Sequence, residues 1–95
     1  MAQDLSLASI AQRNQEIVDA GIDGETVMMS IATGQYYGLD TIASDIWNML
    51  EKPTKVQTIC QQLLEDYDVD SQQCHKDVLA FLNSLKDNNI IEVQA

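Results

Sequence analysis

Ninety-five residues at 45% hydrophobic content are enough for one domain around one core, and are too apolar for a disordered chain. Fifteen acidic residues against five basic ones leave a formal net charge of -10. DNA, RNA and acidic lipid need Lys and Arg to displace their counterions, so the chain as a whole repels them and neither nucleic acid nor membrane is an expected partner.

The opening stretch, MAQDLSLASI, lacks the basic n-region and long apolar run of a signal peptide. No segment approaches the ~20 apolar residues of a membrane span. The expectation is a cytoplasmic protein, a single domain over residues 1–95, whose Cys60 and Cys74 are free thiols serving as small core residues. Aromatics are scarce, so Ile, Leu, Val and Met must build that core.

Up to about residue 39 the pattern is short and alternating. Ile17-Val18-Asp19-Ala20 suggests a strand, and Gly21-Ile22-Asp23-Gly24 has turn chemistry. Glu25 to Ile31 is β-branched and places Val27, Met29 and Ile31 on one face, the alternation of a half-buried strand. After a second turn at Ala32 to Gln35, Tyr36-Tyr37-Gly38-Leu39 reads as a third strand. Two tight turns joining three strands make an antiparallel meander. Its last strand lies at an edge with no Pro, Lys or run of charge to protect it, which makes it a liability or a binding site.

From Asp40 the period becomes helical. Asp40 can cap a helix running to about Glu51, with Ile42, Ile46, Met49, Ala43, Trp47 and Leu50 on a wide apolar face. Pro53 ends it. Thr54-Lys55-Val56-Gln57 has the form of a capping box, opening a helix with Val56, Ile59, Cys60, Leu63, Leu64 and Tyr67 on its core side. Asp70 can cap a third helix that reaches about Asn88, with Cys74, Val78, Phe81, Leu82 and Leu85 as its stripe. Ile90, Ile91 and Val93 form a short extended tail. The fold class is α+β: a three-stranded antiparallel sheet on a three-helix bundle.

Chemistry is thin. Asp66 to Asp70 resembles the start of a calcium loop but lacks Gly at the sixth position and Glu at the twelfth, so an acidic interhelical turn is the better reading. Two cysteines with thirteen residues between them and one histidine do not make a zinc site. His75 is the only histidine, and its neighbour Cys74 points about 100° away on a helix. No phosphate loop or nucleophile elbow is present. No catalytic residue, metal or cofactor is expected. The third helix carries one anomaly: Leu79 lies about 100° from the centre of the core stripe, bordered by His75, Leu82 and Lys86. That flank could wall a groove beside the sheet edge; a singly exposed leucine is the equal alternative.

At GQYYGLDTIASDIWNML the chain resembles the PqqD-like family of peptide chaperones, also called RiPP recognition elements. The landmarks are Gly34, Tyr37, Leu39, Ala43, Ile46 and Trp47, then Val56, Ile59 and Tyr67-Asp68-Val69. Beyond them come Cys74, Asp77-Val78, Phe81-Leu82, Leu85 and Ile90. Asp40 stands where the family usually has Asn, and either residue caps a helix. The resemblance implies a winged helix-turn-helix-like fold without catalysis. It implies a protein that binds the leader of a ribosomally made precursor peptide as an added strand and presents it to a modifying enzyme. A lasso-peptide leader protease and cyclase are favoured over a radical-SAM enzyme. Carried onto this chain, the peptide-binding residues are Gln35, Tyr36, Tyr37, Gly38 and Leu39 on the strand, with His75, Leu79, Leu82 and Lys86 on the helix. The alternatives are a winged-helix nucleic-acid binder, which wants a more basic third helix, and an oligomerisation domain using the same edge.

Overall fold

The structure, a computed structural model, describes residues 5–23 and 25–94. Gly24, expected in the first turn, lies outside them, as do the first four residues of the N-terminal stretch. The order of elements is β1 (Ile10–Arg13), β2 (Ile17–Ile22), β3 (Glu25–Ser30), β4 (Tyr36–Leu39), α1 (Thr41–Met49), β5 (Thr54–Lys55), α2 (Val56–Asp66), α3 (Ser71–Asp87) and β6 (Ile91–Gln94). The expected meander is present as a sheet of order β2-β3-β4, and a second antiparallel sheet, β5-β1-β6, accompanies it.

The first hairpin is tighter than expected. β2 continues through Gly21 and Ile22, and Ile22 pairs with Glu25, so Asp23 turns the chain at φ 52°. Aspartate tolerates this left-handed backbone better than most residues. At the second turn Gly34 takes φ 73°, and its N–H donates to Ser30 at 2.8 Å.

The buried face of β3 is the reverse of the one its apolar alternation suggests. Thr26, Met28 and Ser30 are buried, whereas Val27 and Ile31 are exposed. The helices lie on the Met28 side, with α1 against β3 and β4. Burial follows which side they cover; of the polar residues there, the Ser30 hydroxyl accepts from Thr33 N–H at 3.3 Å and Thr26 N–H donates to Ser44.

Both acidic caps form. The Asp40 carboxylate accepts from Ala43 N–H at 2.8 Å, and that of Asp70 accepts from Gln73 N–H at 3.0 Å. The capping box at Thr54 does not form. Thr54 Oγ1 instead donates to the carbonyls of Met49 and Lys52. Two N–H groups that open α2, on Val56 and Gln57, donate to the carbonyls of Ser9 and Leu7 at 2.9 Å each. The N-terminal segment thus does the work expected of a side chain. The end of α3 is closed by its backbone: Asn89 at φ 60° and Ile90 send N–H groups back to Lys86 and Leu85 at 3.0 and 2.9 Å. This Schellman arrangement turns the chain from α3 into β6.

Between the sheets and helices lies one core. Trp47, Leu50, Ile59, Leu82 and Ile90 are wholly buried within it. Trp47 Nε1–H donates to Asp19 at 2.8 Å, and the Arg13 guanidinium stacks on its ring at 4.4 Å. Arg13 also donates twice to the Trp47 carbonyl. This cluster ties β1, β2 and α1 together.

Candidate functional site

β4 has β3 on one side and, among the described residues, no strand on the other. Register identifies the groups it leaves free. Ser30 N–H donates to the Gln35 carbonyl at 2.9 Å. Hydrogen-bonded pairs alternate in an antiparallel ladder, so Met28–Tyr37 and Thr26–Leu39 are the next such positions. Tyr36 and Gly38 fall between them. Their N–H and C=O groups turn away from β3, onto the open edge. Among the described residues, no backbone hydrogen bond joins Tyr36 or Gly38 to another element.

The far end of β4 is held by a serine hydroxyl. Ser44, buried on α1, accepts from Thr26 N–H at 2.9 Å and donates to the Leu39 carbonyl at 3.3 Å. Its Oγ occupies the place of the last rung between β3 and β4. It keeps that pairing satisfied while fixing α1 beneath the edge strand.

A cavity of about 280 Å³ opens where β4 passes into α1. Its walls are mainly apolar, with Ile42 and Ile46 from α1, Val69 before α3, and Val78 and Phe81 from α3. Asp40 and Asp77 add carboxylates. Tyr67 and Cys74 also line it. The Tyr67 hydroxyl donates to Asp45, and that bond, more than any burial, holds its proton above the usual tyrosine range. Burial pushes the Cys74 thiol up likewise. Both are neutral near pH 7, so the chamber's negative charge comes from its carboxylates.

The sequence-predicted residues divide. Tyr36 to Leu39 form the edge strand, while Gln35 stands just before it in the turn, accepting from Tyr37 OH through Oε1 at 2.8 Å; the Leu39 side chain is in the core. On α3, Leu82 is fully buried, so it walls no open groove. Leu79 packs partly against the core, and His75 and Lys86 are half-buried. The cavity at the end of β4 is met by the opposite flank of α3, through Cys74, Asp77, Val78 and Phe81. Phe81 was assignable from periodicity only to the core. Ser44 carried no signal of its own: on the helix it lies between Trp47 and Asn48, at the border of the apolar face.

A sequence comparison with curated proteins returns no match. Two solved structures are similar in fold and sequence. One is TbiB1 in complex with the TbiA(beta) leader peptide: 32% identity, covering 85% of this chain and 94% of that one, TM-score 0.81. The other is a lasso peptide synthetase B1 complexed with the leader peptide: 26% identity, 86% and 96% covered, TM-score 0.78. The family model of coenzyme PQQ synthesis protein D (PqqD) matches residues 25–91, a span that contains β3, the whole edge strand, all three helices and the cavity between them. The chain belongs to the PqqD family.

Proposed function

We propose that this protein is a non-catalytic recognition module that binds the leader of a ribosomally made precursor peptide as a fourth strand beside β4. It then presents the peptide to the enzymes that modify it. The observation that carries this is the pair of outward-facing main-chain units on Tyr36 and Gly38; an apolar cavity opens past the end of that strand, from Asp40 onward. A guest strand bonds to both residues and gains its register from them. Side chains on one of its faces reach the cavity, where each well-buried Leu or Ile contributes ~1.5–3 kcal/mol before ordering costs. The solved relatives that hold leader peptides support the same reading, and they favour a lasso-peptide pathway with a leader protease and cyclase as the enzymes served.

Two flanks of α3 are available as the groove wall, and a titration separates them. Ile42 is 43% exposed at the cavity mouth, in the first turn of α1, where an acidic substitution suits the helix dipole. Ile42→Asp should therefore leave the fold intact and weaken binding of the leader encoded beside this gene at least tenfold. Leu79→Asp, on the other flank, should cost less than threefold by calorimetry. The reverse order would move the groove to the flank of His75, Leu79 and Lys86; full affinity in both variants would remove the groove altogether.

A further inference from the structure

The large apolar side chains left exposed among the described residues fall into two places. Ile42 and Val69 are at the cavity and belong to the peptide site. Val18, Ile22, Val27, Ile31 and Tyr36, 36% to 72% exposed, lie elsewhere. Their positions are set by register. Val18 pairs with Met29 and Met29 with Tyr36; Ala20 pairs with Val27 and Val27 with Gly38. Directly paired residues share a face of a sheet, so these rows run across all three strands on the side away from the helices. Ile22 adds a third row beside Glu25, and Ile31 follows directly after β3. A shallow hollow of about 230 Å³ lies between Val18, Val27, Met29 and Tyr36. Singly exposed apolar residues are ordinary, but four gathered on one sheet face, with Ile31 at its end, mark an interaction surface.

We propose that this outer face docks the enzyme that acts on the bound peptide, through an apolar patch bordered by basic residues on that enzyme. The inference rests on the peptide-binding reading above. Two features select this occupant. The first is continuity: the rows end at Tyr36 and Gly38, the residues whose main chain takes the guest strand. A fourth strand there extends the same face by one row, since its alternate side chains point outward with theirs. A protein covering the face therefore touches host and guest together, and docks better on the loaded sheet than on the empty one. The second is charge. Glu25 stands in the Ile22 row, Asp23 follows in the adjoining turn, and residues 17–39 hold no Lys or Arg; Asp19, paired with Met28 on the helix side, is already matched by Arg13. A second copy of a chain with net charge -10 meets like charge at this face, whereas a basic border meets opposite charge.

Val27→Lys and Ile22→Lys put a cation on this face without touching the edge or the cavity. The purified leader protease encoded with the precursor is the probe, titrated against the chain saturated with synthetic leader. The expected result is an at least tenfold loss of protease affinity in each variant, with leader affinity within twofold of the natural chain and the melting temperature preserved. The natural chain should also bind the protease more tightly with leader than without. Unchanged protease affinity in both variants overturns the proposal. So does a natural chain that sediments as a dimer and becomes monomeric in Val27→Lys, because the face would then belong to a second copy. The leader titration is read first. A natural chain that ignores the leader brings down the peptide-binding reading, and this inference with it, whereas normal leader binding with unaltered protease docking overturns this inference alone.

Discussion

Cys60 and Cys74 sit together in the core between α2 and α3, both free and hydrogen-bonded to each other. Burial, then the neighbouring Cys74, pushes the Cys60 thiol from 9.0 to about 11. The consequence for stability has a definite sign. At pH 8 the thiol is protonated in folded and unfolded chains alike, and it draws no pH dependence. Between about 9 and about 11 the unfolded chain releases the proton and the folded one retains it. Stability then falls with a slope approaching ~1.4 kcal/mol per pH unit for such a group. Urea midpoints measured at pH 8 and pH 10 should drop more for the natural chain than for Cys60→Ala, whose overall stability is lower from the cavity it leaves. Equal slopes in the two proteins would show that Cys60 is not the group responsible. The same neutrality makes these thiols slow toward alkylating reagents, since the thiolate is the nucleophile.

Among the elements, α1 and β4 depend on each other through one hydroxyl. Ser44→Ala leaves Thr26 N–H and the Leu39 carbonyl without their bridging partner in a buried place, at a cost of about 1–3 kcal/mol. Because Leu39 ends the edge strand, the loss should appear twice, as a lower melting temperature and as weaker leader binding. A variant that melts with the natural chain would show that the rung closes without the serine. None of this is legible in the bare sequence, where Ser44 is one polar letter at the border of an apolar face. The meander, the three helices and both aspartate caps were readable, because period, turn residues and cap residues are local signals. The second sheet was not. β1 is four residues long and β5 two, and β1 pairs with β5 on one side and with β6 on the other, across the length of the chain; no local pattern encodes such distant partners. The same limit explains the α2 start, where carbonyls of Leu7 and Ser9 replace the capping box, and the inverted face of β3. Alternation tells which residues share a face but not which face the helices cover. At the site, the edge was legible from what its sequence lacks, while the flank of α3 that meets the cavity depended on how the helix is rolled.

The molecule as a whole carries a net charge of -10, and its few cations are poorly placed to bind a polyanion. Arg13 is engaged with Asp19 at 3.6 Å and with Trp47. On α3, Lys76 and Lys86 stand beside Asp77 and Asp87. A helix that reads DNA grooves needs a basic face, which this one lacks. For a leader rich in Lys and Arg the same field is attractive, and Asp40 and Asp77 at the cavity lie at its destination. Long-range attraction acts on encounter, whereas main-chain bonds along Tyr36 to Gly38 and apolar burial act on residence. Salt separates the two. The screening length shrinks from ~10 Å at 0.1 M to ~3 Å at 1 M, so added NaCl removes the steering and leaves the short-range contacts. Stopped-flow measurements with a labelled basic leader should show the association rate falling at least fivefold between 0.05 and 1 M NaCl, on the order expected for steered encounter, while the dissociation rate changes less than twofold. A duplex DNA probe should give no complex at either salt. The opposite partition, a constant association rate with dissociation accelerating as salt rises, would mean that ion pairs hold the peptide in place, and that the exposed edge of β4 and its cavity contribute little to retaining it.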